Sequence, residues 1–214
     1  VNNRFPTDRV VYFSDAIFAI AITLLVLEIK LPSWEEVREH GIDGVLARRI
    51  PNFMGYLISF FVTALFWKAH LNSCKYIKKE VDGAFLWLNL WLLLFVVLMP
   101  FSTALYSNYP GSNQAFLFYC GNVAAIGILM SLFIRRIVRT EGLEQLMGRT
   151  VARWMVQRSL VVAGVFLLSG ALVFVSVWVS RYTFLLIFVI HAWGDRRIKR
   201  SQRLASESAP PAEA

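Results

Sequence analysis

Three histidines and two cysteines are all that this chain of 214 residues offers as soft metal ligands or strong nucleophiles. Neither His-Glu-x-x-His nor Cys-x-x-Cys spacing occurs, so no zinc or dithiol centre is encoded. Gly142 to Thr150 approaches a phosphate-binding loop, but five residues separate Gly142 from Gly148 and Arg149 stands where the loop needs lysine. The backbone cradle for a phosphate therefore does not form. An intramembrane enzyme would need paired acids, a metal cluster or an activated nucleophile. None is found, so no catalytic residue, metal or cofactor is expected. The chemistry that remains lies in apolar surroundings: Asp15, six residues after Arg9, and then Trp67, His70, Asn89 and His191.

An ionisable side chain within a membrane span marks either a path for ions or protons, or a bond between helices. In the structural role, Asp15 is a helix-start carboxylate that pairs with Arg9 or accepts a hydrogen bond from another span. Trp67 and His70, three residues apart and therefore on one helix face, are suitable partners. In the transport role, Asp15, His70 and His191 would form a proton relay. Asn89 and His191 also suit interhelical hydrogen bonds.

The elements that hold these residues must be membrane helices. The chain is 57% hydrophobic and 17% charged, with a mean hydropathy of +0.55. Soluble domains run at roughly 45–50% apolar and about 25% charged, and a chain this size cannot bury such a surplus within itself. That balance excludes a disordered protein, a disulfide scaffold and an ordinary soluble enzyme. Each charge at the bilayer centre costs roughly 2.5–3.5 kcal/mol, so uncharged runs mark the spans. The expected fold is all-α, an integral membrane six-helix bundle over residues 8–195, with spans at about 10–30, 50–71, 83–106, 113–135, 157–175 and 180–194. Two of them share the 52 uncharged residues between Asp82 and Arg135, with a turn from Ser107 to Asn113. The sixth is short, with 13 uncharged residues from Tyr182 to Gly194. A basic and then disordered cytoplasmic tail is expected over 196–214.

The net charge of +8 would in a soluble protein raise the question of nucleic acid. In a membrane protein it sets orientation, because cytoplasmic segments collect Lys and Arg. With six spans, the N-terminal side holds Arg4, Arg9, the lysines of 68–79, the arginines of 135–158 and the cluster at 196–203. The other side holds only Lys30, Arg38, Arg48, Arg49 and Arg181. Five spans would move the last cluster across and erase the bias. Both termini are therefore expected in the cytoplasm of a multi-pass protein of the cell membrane, with the lipid bilayer as a partner and no nucleic acid. Outside the membrane, Ser33-x-x-Glu36 has capping-box spacing and starts a short helix that Gly41 ends. The stretch from Arg136 to Gln157 reads as an Arg-rich amphipathic connector.

The first span departs from plain grease. At about 100° per residue, Phe13, Ala16, Ile20, Leu24 and Leu27 fall on one narrow apolar stripe, Thr23 lies on its flank, and Asp15 points away. By spacing alone the stripe can face lipid, pack in a bundle or surround an axis.

Arg9-x-x-x-Phe13-Ser14-Asp15, followed by Ala19-Ile20 and Thr23-Leu24-Leu25-x-Leu27-Glu28-Ile29, resembles the first-span signature of the endosomal/lysosomal potassium channel family. Trp67-x-x-His70, Asn89 and Leu98-Met99-Pro100-Phe101 resemble its second and third spans. The resemblance implies a passive, potassium-selective cation channel, a homotetramer of six-span subunits with first-span helices lining a central pore and no carbonyl filter loop. By position it implies that Ile20 is the narrowest constriction, with Leu24 and Leu27 as further apolar rings, and that Thr23 supplies the hydroxyl layer favouring K⁺. It also implies that Arg9, Phe13, Ser14, Asp15, Trp67 and His70 hold the first span against its neighbours. Fourfold repetition of the stripe would give rings that gate by dewetting. Glu28, Glu35, Glu36 and Glu39 would enrich cations at the mouth. The rival reading is a proton channel or proton-coupled carrier using Asp15, His70 and His191.

Overall fold

A computed structural model of the chain describes residues 4–77, 80–187, 190, 194 and 196. The long uncharged runs become helices because in lipid every backbone N–H and C=O must be satisfied within its own segment. They are α1 (Thr7–Leu24), which tightens into a 3₁₀ turn at Leu25–Glu28, α2 (Trp34–Cys74), α3 (Gly83–Val97) and α4 (Met99–Asn108), α5 (Asn113–Thr140), and α7 (Arg149–Leu172). Short helices α6 (Leu143–Met147) and α8 (Val177–Tyr182) and a 3₁₀ turn at Thr183–Leu185 complete the described part. Taking α3 and α4 together, five helical segments among the described residues are long and apolar enough to cross a membrane. The fold is an all-α membrane bundle. Most of the sixth expected span beyond Ile187, including His191, and the tail after Arg196 lie outside the described residues.

Local chemistry explains the breaks. Ser33 and Glu36 form the reciprocal capping box, with Glu36 N–H donating to Ser33 Oγ at 3.2 Å and Ser33 N–H to Glu36 Oε2 at 3.0 Å. Gly41, at φ 68° and ψ 164°, then leaves helical geometry, so Trp34–His40 is set at an angle to the membrane-spanning remainder of α2. Pro100 lacks the N–H that Val96 would receive, and α3 gives way to α4 at Leu98.

The Arg-rich amphipathic connector expected between the fourth and fifth spans is made of the ends of both helices with the short α6 between them. α5 runs past Arg135 to Thr140 and α7 begins at Arg149. Arginine ends an apolar run without ending a helix, because it is a good helix former. Gly142 and Gly148, the pair that resembled a phosphate loop, flank α6 at φ 63° and 83° and reverse the chain.

The tightest pair is α5 with α7, which run antiparallel. A Cβ on Gly127 would come within 2.8 Å of the Ser159 carbonyl oxygen and 3.0 Å of Ala163 Cβ, so glycine sets how closely these helices approach. Ser169 and Ser180 each donate a hydroxyl to the other's carbonyl at 2.6 Å and close the α7–α8 hairpin.

One departure from helix was not expected. Arg4–Pro6 (β1) pairs antiparallel with Glu80–Asp82 (β2) in a two-stranded ribbon. Asp82 caps α3 by accepting from Phe85 N–H at 2.8 Å, and Arg136 donates to its other oxygen at 2.6 Å. The Phe85 N–H, and then Arg136, hold the Asp82 carboxyl below its ordinary pKa. The start of α1, the α2–α3 connection and the end of α5 therefore share one end of the bundle.

Candidate functional site

The helix α1 has two faces of opposite character. Val10, Ser14, Phe18, Ala21 and Leu25, spaced by three and four residues, are buried against α2, α3 and α4. Phe13, Ala16, Ile20, Thr23, Leu24 and Leu27 lie on the opposite side and are all exposed, with Ile20 at 54%. Within one subunit nothing covers them. The hydroxyl of Thr23 donates to the Ile20 carbonyl at 2.9 Å. A carbonyl can only accept, so the Thr23 proton is turned inward and its oxygen lone pairs remain outward.

Behind this face, a chain of buried hydrogen bonds fixes the helix to its neighbours. Ser14 Oγ donates to Val10 O at 2.8 Å, which leaves its oxygen to accept from Asn89 Nδ2 at 2.8 Å. Asn89 must then present its carbonyl oxygen to His70 Nε2, 3.0 Å away, and that nitrogen carries the proton. The Cys74 thiol, one helical turn on, lies 3.6 Å from Nδ1 and donates there. Direction is thus fixed along the whole chain by one backbone carbonyl. The His70 ring is held between Phe133, stacked at 4.7 Å, and Phe18 at 5.7 Å.

Asp15, on the edge of this network, accepts from Trp67 Nε1 at 2.9 Å. The structure thus brings Ser14, Asp15, Trp67 and His70 together, but His70 bonds Asn89 rather than Asp15. Arg9 and Phe13 are exposed, and Arg9 makes no ion pair among the described residues. Arg9 points outward because its place in the helix puts it opposite the packed face of Val10 and Ser14. Of the acids expected at the far mouth, Glu36 is paired with Arg49 at 3.0 Å, which removes most of its field. The Ser33 backbone N–H, and then Arg49, lower its pKa.

A second polar layer had no counterpart in the sequence reading. Thr103 Oγ1 and the Tyr119 hydroxyl lie 2.8 and 3.1 Å from Ser59 Oγ, and Asn122 Nδ2 donates to Ser102 Oγ at 3.1 Å. Hydroxyls in three successive spans were the only signal for it, and hydroxyls also bond their own helix backbone.

Over residues 9–100 the chain matches the family described as endosomal/lysosomal potassium channel TMEM175. It is 34% identical over 178 residues to a potassium channel of Chamaesiphon minutus, covering 81% of this chain and 87% of that one. It is 37% identical over 107 residues to a potassium channel of Streptomyces collinus, half of each chain. It is 27% identical over 130 residues to the human endosomal/lysosomal proton channel TMEM175, of which the match spans only 25%. The crystal structure of a lysosomal potassium-selective channel TMEM175 homolog from Chamaesiphon minutus superposes with a TM-score of 0.76 at 31% identity, over 88% of this chain and 97% of that chain. On a relative this similar over most of both lengths, the chain belongs to the TMEM175 potassium channel family.

Proposed function

We propose that the chain forms a passive, potassium-selective channel in the cell membrane, a homotetramer of six-span subunits over residues 8–195 with both termini cytoplasmic. The observation that carries this is the outer face of α1: an apolar stripe its own subunit leaves uncovered, on a helix whose other face is fully packed. Four such stripes around an axis give a constriction at Ile20 and wider apolar rings at Leu24 and Leu27. Isoleucine has no oxygen with which to replace a hydration shell, so ions pass Ile20 at least partly hydrated. Thr23, with its proton committed to Ile20, offers lone pairs to a cation and no donor to an anion. The two relatives named potassium channels and the potassium-selective structural neighbour support the permeant ion.

The proton reading draws on the vertebrate relatives' name, but the buried chain argues against a relay through His70. It ends at the Val10 carbonyl, an acceptor with no proton to pass on. The deciding experiment is flux from liposomes carrying purified protein under a K⁺ gradient, with and without a protonophore. Potassium efflux that needs no proton gradient is expected. Absence of K⁺ flux in folded, tetrameric protein at all applied voltages overturns the channel reading.

A further inference from the structure

We propose that the cytoplasmic ends of α5 and α7 form a binding groove for the phosphodiester headgroup of an anionic phospholipid. The groove has a volume of about 340 Å³ and is lined by Arg135 and Arg139 of α5 and by Arg153 and Gln157 of α7. Arg135 and Arg139 are one turn apart on a single face, and Arg153 stands across from them on the antiparallel helix. None of the three has an ion-pair or hydrogen-bond partner among the described residues. The one acid lining the groove, Glu144, faces Arg149 at 3.9 Å. Three convergent guanidinium groups repel one another and present planar donor forks that match phosphate oxygens. Such a cluster is stabilised by an anion.

The surface continuous with the groove identifies the anion as a lipid. Toward the bilayer, the same strip of α5 continues through Leu132 and Ile128, and that of α7 through Leu160 and Leu167. Leu132 and Leu160 are 45% and 44% exposed. A phospholipid has the same order along its length, acyl chains beside the leucines and phosphate among the arginines. Basic pockets between membrane helices on the cytoplasmic side suit anionic headgroups for this reason. α1 packs on α2, α3 and α4, whereas α7 packs chiefly on α5, so with α1 at the pore axis the groove faces outward into lipid. The inference rests on the proposed orientation and on α1 at the centre of the assembly but not on conduction, and a protein that carries no K⁺ could still satisfy it.

Native mass spectrometry of the detergent-purified chain, titrated with phosphatidylglycerol, phosphatidylcholine or inorganic phosphate, tests it. Phosphatidylglycerol is expected to be retained several-fold better than phosphatidylcholine, and millimolar inorganic phosphate is expected not to displace it. The R135Q/R139Q/R153Q variant should lose that preference, while R38Q/R48Q/K75Q, with the same loss of charge elsewhere, should keep it. Single Arg135→Gln and Arg153→Gln variants, at exposed positions, provide the same reading at partial strength should the triple variant misfold. Equal retention of the two lipids, displacement by phosphate, an unchanged preference in the groove variants, or an equal loss in the control variant would each overturn the proposal.

Discussion

The indole N–H of Trp67 meets the carboxylate of Asp15 at 2.9 Å and ties α2 to α1 at the edge of a buried network, with both side chains still partly open to solvent. A charge-assisted bond of this kind stabilises strongly when buried, and its exposure reduces that. Trp67→Phe is expected to cost about 1 kcal/mol, seen as a lower melting temperature of the detergent-purified protein. Asp15→Asn keeps an acceptor oxygen and should cost less. It should also leave K⁺ flux in liposomes intact, and a collapse of flux with normal assembly would move Asp15 from positioning to conduction.

Asn89 is the turning point of the buried chain, giving an amide donor to Ser14 and a carbonyl to His70. Asn89→Leu leaves the His70 Nε2–H without an acceptor in an apolar sandwich, at a cost of about 1–3 kcal/mol. Adding His70→Phe should recover much of that loss, because both polar partners are then gone and a ring still fills the space between Phe18 and Phe133. Thermal melts of the two single variants and the double variant give the coupling. Additive losses would show that the His70–Asn89 bond contributes little.

Gly127→Val drives a side chain into the Ser159 carbonyl and Ala163. Overpacking of this sort costs about 1–3 kcal/mol, and here it separates the bundle's tightest helix pair. Gly164→Ala, on α7 but with open space around the new methyl, should be neutral or mildly stabilising. Similar melting curves for the two variants would remove Gly127 from its spacing role.

Ile20→Asn places a polar amide at the centre of the exposed α1 stripe without touching the packed face. Potassium conductance in bilayer recordings should rise several-fold, and K⁺ over Na⁺ discrimination should fall, since a wetted constriction passes hydrated ions more readily. An unchanged current would place the gate at another residue.

The faces of α1 were legible because a helix converts spacing into direction, and Phe13, Ile20 and Leu24 fall together on any helical wheel. The capping box at Ser33 and the break at Gly41 were legible for a similar reason, since both follow from adjacent residues. What failed depended on distance along the chain. Ser14 and Asn89 lie 75 residues apart, so the sequence showed two polar residues but not their bond. Arg9 and Asp15 looked like a pair because they are close in sequence, yet Arg9 faces out. The β1–β2 ribbon has only three residues per strand, too few for an alternating pattern to register. Arg135 marks the end of the uncharged run, but that run does not show how far the helix continues beyond it, to Thr140.

That ribbon has a mechanical consequence. Arg4, Phe5 and Pro6 are paired in register with Asp82, Val81 and Glu80, and α1 starts at the next residue. The base of α1 is thereby clamped to the root of α3, so the helix cannot slide like a piston or spin like a rotor without stripping the ribbon. Its upper end, the 3₁₀ turn Leu25–Glu28, is held in another way, by the fully buried Leu25 packed against α2 and α4. Sliding or rotation of α1 as a rigid rod therefore has to break contacts at both of its ends.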